Sequence, residues 1–140
     1  MTPELEALAR RAVACPGWRW MPGMRDAVDG DRAISVATRG QALWVRWAVA
    51  GEAFRDHRWL PDFDDPATVG CLLALVREAW DWDVWAESTF DGDAWIVTCP
   101  VLGEESDGRP LIGSVDFTGT TEHEALVAAL EAAPRREPSA

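Results

Sequence analysis

The element that most constrains this chain is announced by Asp65-Pro66. Aspartate accepts hydrogen bonds from the unpaired amides of a helix's first turn, and proline suits the first helical position, where an N–H is not needed. Val69, Leu72, Leu73, Val76 and Trp80 then recur at helical spacing, so one face of a helix starting at Pro66 must be buried. Any fold open to the chain has to cover that stripe.

Two further helices carry comparable punctuation. Thr2 caps the first, Pro3 opens it, and Glu4 and Glu6 complement its dipole. Leu5, Leu8, Ala9, Ala12 and Val13 share a face before Cys15-Pro16-Gly17 ends the run. The third opens with a Thr121-x-x-Glu124 capping box, packs through Leu126, Val127 and Leu130, and stops at Pro134.

Between the helices the period falls to two. Turn signals at Pro22-Gly23, Asp29-Gly30-Asp31 and Arg39-Gly40 separate strands expected at 18–21, 33–37 and 42–49. Further strands are expected near 83–90, 94–99 and 111–117, the first two joined by the hairpin signal Asp91-Gly92-Asp93. Residues 103–110 read as a polar loop. The expected fold is α+β: a single domain over residues 1–134, with order α-β-β-β-α-β-β-β-α and a largely antiparallel sheet carrying helices on one face. Residues 135–140 are expected to form a flexible tail. An αβββ duplication would account for the echo between residues 7–13 and 74–80.

With 140 residues the chain can bury ~68% of its unfolded surface, enough for a core without staples. Twenty-four acidic residues against thirteen arginines give a net charge of −11. Repulsion by phosphates argues against non-specific nucleic-acid binding, and the same sign argues against anionic membranes. No apolar run approaches the ~18 residues of a membrane span. The N-terminus shows no secretory signal, and the odd set Cys15, Cys71 and Cys99 lacks Cys-x-x-Cys spacing, which together point to reduced, mostly buried thiols in the cytoplasm. Lys, Asn and Tyr are absent, as a GC-rich genome would produce.

The acidic clusters have simple explanations. Asp62, Asp64 and Asp65 surround a helix start, and the Asp-Gly-Asp sequences suit turns, so no metal is expected. His57 follows Asp56 and could act as an oriented base, but no nucleophile is placed near it; His123 sits among glutamates at the third helix start. Ser114 lacks the second glycine of a nucleophile elbow. Phosphate loops, dinucleotide fingerprints and zinc spacings are missing as well, so neither a cofactor nor an enzyme is expected.

Tryptophan is more informative. Trp47, Trp80, Trp82 and Trp95 follow apolar faces and are expected in the core. Trp44 instead alternates with Arg46, and Trp85 with Asp83, Glu87 and Thr89, which places them on the helix-free side of the sheet. Trp and Arg are frequent interface anchors, so Trp44, Arg46, Trp85, Glu87 and Asp83 are the candidate binding residues. Cover by a loop is the competing explanation.

The segment from Leu60-Pro61-Asp62 through Asp65-Pro66-Ala67-Thr68 to Val76-Arg77-Glu78-Ala79-Trp80 resembles a recurrent stretch in small proteins of tailed phages and prophages from GC-rich bacteria. Glu124 to Ala132, Glu6 to Val13 and Pro16-Gly17-Trp18 are similar too. The likeness lies mainly in the helices and brings no catalytic residues with it. It implies a phage accessory protein that binds a host or phage protein, with an inhibitor of a CRISPR or restriction complex as the leading expectation. A sponge for a small nucleotide signal and a homo-oligomeric assembly protein are the alternatives.

Overall fold

A computed structural model describes residues 1–36, 44–47, 59–80 and 86–134, with some side chains inside the strands left out of the description. The fold is α+β: helices α1 (Pro3–Val13), α2 (Pro66–Ala79) and α3 (Glu122–Ala132), and strands β1 (Ala33–Val36), β2 (Trp44–Trp47), β3 (Glu87–Phe90), β4 (Trp95–Glu104) and β5 (Pro110–Gly119). All pairing is antiparallel, in two sheets ordered β1-β2 and β3-β4-β5. Two compact units result, Met1–Ala14 with Trp18–Cys71, and Cys15–Gly17 with Leu72–Ala140. No helix among the described residues is long and apolar enough to cross a membrane.

The first unit buries Met24, Phe63 and Leu60, and polar contacts gather around the start of α2. Asp65 accepts from the Thr68 amide at 3.0 Å and the Thr68 hydroxyl at 2.7 Å, as the cap requires. The same carboxylate meets both Arg32 Nη atoms at 2.9 Å, and Arg32 also donates to the Gly23 carbonyl at 2.6 Å. The Arg25 amide donates to Thr68 Oγ1 at 2.8 Å, so one threonine ties the loop to the helix. A bidentate fork on a mostly buried carboxylate favours its ionised form. Arg32, acting against burial, accordingly holds Asp65 down to about 2.

The second unit is apolar at its centre. Leu72, Val76, Val97, Cys99, Leu126 and Val127 are fully buried. α3 packs against β4 and β5, and Trp80 packs on Phe117 with centroids 5.7 Å apart while donating its indole N–H to the Ala129 carbonyl at 2.8 Å. Gly119 lets α3 start this close to β5: a Cβ there would stand 2.8 Å from the Ala125 nitrogen and 3.1 Å from the Thr121 carbonyl oxygen. Thr121 caps α3 as its sequence requires, accepting from the Glu124 amide at 3.2 Å. The Glu124 carboxylate, however, takes the Thr120 hydroxyl at 2.8 Å.

Two expectations are corrected. Residues 18–21 form no strand: Trp18 and Trp20 pack edge to face at 5.5 Å, and the Met21 amide turns to the Met24 sulfur at 3.2 Å. The two halves therefore do not repeat one αβββ unit over the described residues. Nor is 103–110 a loop, because β4 runs on to Glu104 and β5 begins at Pro110. Pairing of Leu102 with Ile112 and Gly103 with Leu111 extends the ladder, leaving only a tight turn at 105–109.

Candidate binding surface

The β4–β5 ribbon outruns its neighbours. β3 pairs with β4 only from Trp95 to Thr98, so six more residues of β4 continue with β5 alone, roughly 20 Å at strand rise. The Glu105 amide donates to the Arg109 carbonyl at 2.9 Å, and the Gly108 amide to the Glu105 carbonyl at 2.9 Å, with Gly108 at φ 82° where a side chain would be strained. These bonds close the turn and set the register.

Cross-strand partners share a face. Ser88, Val97, Cys99, Val101, Gly113, Val115 and Phe117 therefore lie on one side. Near β3 that side is covered by α3: Val97 and Cys99 are fully buried, and Ser88 donates to Glu122 of α3 at 2.9 Å. Farther out it is open, with Val101 37% and Val115 40% exposed. The turn beyond carries exposed Glu105 and Asp107, the latter 3.2 Å from Arg109. An apolar strip thus leaves the core and ends at an acidic tip, an arrangement of apolar centre and polar rim that is common at interfaces.

The candidate residues read from sequence distribute differently. Glu87 starts β3 opposite Thr98, half-buried, on the face away from the one that Ser88 turns to α3. Trp44 and Arg46 lie on β2, opposite Val36 and Ile34. Asp83 and Trp85 lie outside the described residues, as do His57 and Trp82. Among the described residues, β2 and β3 belong to different sheets. The exposed valines are hidden in the sequence by residues that look like a loop. Asp107-Gly108 between Val101-Leu102 and Leu111-Ile112 is a hairpin signal that could have found them.

Other groups serve the fold. Asp26, fully buried, accepts from the Val28 and Asp29 amides at 3.0 Å each and lies close to Asp29 and Asp31, which makes the acidic turn a backbone device. Asp91 accepts from the Asp93 and Ala94 amides at 2.8 Å, bonds that lower its pKa and form the expected hairpin. Cys15 and Cys99 are buried thiols outside any disulfide, and burial pushes Cys99 up to about 11, with Asp116 adding to the rise. Cys71, half-buried, donates to the Pro22 carbonyl at 3.5 Å. His123 is half-buried in the first turn of α3, and Ser114 is exposed on β5. A cavity of about 450 Å³ beside Gly17 and Leu130 is also lined by Glu78 and Glu131, a sign of charge that disfavours phosphates.

No family model, curated protein or solved structure matches this chain.

Proposed function

We propose that this chain is a phage or prophage accessory protein that works by binding in the host cytoplasm, with no chemistry of its own, and that its target is a host defence complex of the CRISPR or restriction type. The uncovered face of the β4–β5 ribbon carries this reading: Val101 and Val115 stand exposed on a strip continuous with the core, next to an acidic turn. Burying such a strip against a partner releases apolar surface from water. The net charge of −11 steers the chain toward a basic surface, and nucleic-acid channels of defence complexes are basic. The phage resemblance of the helical segments supports the setting.

The test is a plaque assay in GC-rich bacterial strains that carry a CRISPR or a restriction system. Expression of the chain should raise plaque counts of a phage that the system restricts. Val101→Asp with Val115→Asp, checked for an unchanged melt, should lose the effect. Undiminished restriction in both kinds of strain, or full protection by the folded double variant, overturns the reading.

A further inference from the structure

The free side of β5 has a definite hydrogen-bonding pattern. Antiparallel pairing alternates bonded and non-bonded pairs, and the Glu105–Arg109 bond sets the phase. Gly103 with Leu111, Val101 with Gly113, Cys99 with Val115 and Val97 with Phe117 are therefore the bonded pairs. Pro100 and Pro110 both fall at non-bonded pairs, where β4 and β5 do not need their missing N–H groups. Ile112, Ser114, Asp116 and Thr118 consequently turn their N–H and C=O groups away from β4, and β5 has no strand beyond it among the described residues.

Exposed edges are usually blunted by lysine, proline, a bulge or shortness. β5 is ten residues long, its register with β4 is unbroken, its single proline is its first residue, and it contains no lysine. Asp116 is its one charge. This edge can accept a strand.

We infer that the outer edge of β5 takes up an extended segment of the partner protein as a fourth strand, and that this segment alternates apolar residues with arginine or lysine. The inference rests on the binding role proposed above and adds the mode of contact. A strand laid beside β5 sends alternate side chains to its two faces. On one face they extend the exposed Val101–Val115 strip, which calls for apolar groups. On the other they meet exposed Ser114, Asp116 and Thr118, and the Asp116 carboxylate calls for a cation opposite it. A second copy of the chain would bring its own charge of −11 to the same edge, so charge complementarity favours a basic segment.

The probe is an eight-residue peptide of alternating arginine and valine with blocked ends, titrated into the full-length protein. Binding should slow hydrogen exchange at the Ser114, Asp116 and Thr118 amides by about tenfold or more. The same peptide N-methylated at every amide keeps its charge but can donate no backbone hydrogen bond from either edge, and should bind about tenfold more weakly. Ser114→Pro, which removes an outward N–H and spares the bonds to β4, should weaken binding similarly, and so should Asp116→Arg. A glutamate–valine peptide should not bind.

Equal binding of the methylated peptide, or protection confined to other strands, overturns the inference: the acidic surface then attracts cations without pairing. No binding of the arginine–valine peptide overturns it too. Exchange already slow at β5 together with a doubled mass in light scattering assigns the edge to a second copy, and likewise overturns it. The plaque assay with the valine variants is independent of these outcomes, so failure of the edge is distinguishable from failure of the binding role.

Discussion

The start of α2 and the layer under α3 are held by different forces, although each lies in a unit with an apolar core. Around the start of α2, one carboxylate gathers a helix cap, a guanidinium and a threonine, and fixes the loops by hydrogen bonds. Around α3, apolar side chains close over the inner half of a long ribbon, and Trp80 and Ser88 add hydrogen bonds to the helix. Polar stabilisation is directional and sensitive to pH. Apolar burial is neither, but it continues only as far as the covering helix. In the second unit the ribbon extends beyond that cover, and Val101 and Val115 are left exposed there.

The largest expected effect tests the apolar side of this contrast. Leu126→Ala empties a site that is fully buried under α3 and should destabilise by about 3 kcal/mol, through lost transfer energy and the cavity left behind. The loss should be the same at pH 7 and pH 4, because no titrating group is involved. A denaturant melt at each pH measures it, and a strongly pH-dependent loss would break the distinction between the units.

Asp65→Ala comes next, at about 2 kcal/mol, since it removes the cap and leaves Arg32 without its carboxylate partner. Asp65 has its folded pKa depressed to about 2, below the ordinary carboxylate value. Its contribution is therefore complete above roughly pH 4 and disappears as the pH falls through about 2. Asp65→Asn keeps a capping oxygen and should recover part of the loss while flattening that acid dependence. Acid melts of the parent and the two variants decide it; identical slopes for the parent and Asp65→Asn would remove the ion pair from the account.

How much of this was legible follows from the range of each interaction. The caps at Thr2, Asp65 and Thr121 act within one helical turn, so local sequence announces them. The Arg32–Asp65 fork spans thirty-three residues, and nothing local in either segment signals it. Residues 18–21 alternate like a strand, yet a tryptophan pair and a backbone–sulfur contact take over where a ladder would have been. In the ribbon the error runs the other way: Gly103, Glu104 and Pro110 look like loop residues but are carried in the ladder by their neighbours. Of the expected site, Glu87 lies on the face away from the helix contact and Trp44 and Arg46 lie on β2, while Asp83 and Trp85 fall outside the described residues.

A third effect tests the close approach that the apolar unit needs. Gly119→Ala would force a Cβ to 2.8 Å from the Ala125 nitrogen and 2.9 Å from Glu124 Cβ, which only a shift of α3 can relieve. The expected cost is about 1.5 kcal/mol, within the range for overpacking. A stability equal to that of the parent chain would mean that α3 moves freely on β5, against the account of a tightly seated helix.

The smallest effect is the most telling, because it separates stability from binding within one strand. Val97 and Val101 are four residues apart on the same face of β4, the first fully buried and the second 37% exposed. If α3 marks the limit of the core, Val97→Ala should cost about 2 kcal/mol, whereas Val101→Ser with Val115→Ser should stay within about 0.5 kcal/mol of the parent. Equal losses at both positions would make the outer ribbon part of the core and remove the reason to read it as a contact surface. A neutral serine pair, with the ladder intact by hydrogen exchange, would leave two apolar side chains exposed without a gain in stability. That result is what the contact surface proposed above requires, since its two valines would then serve something other than the fold.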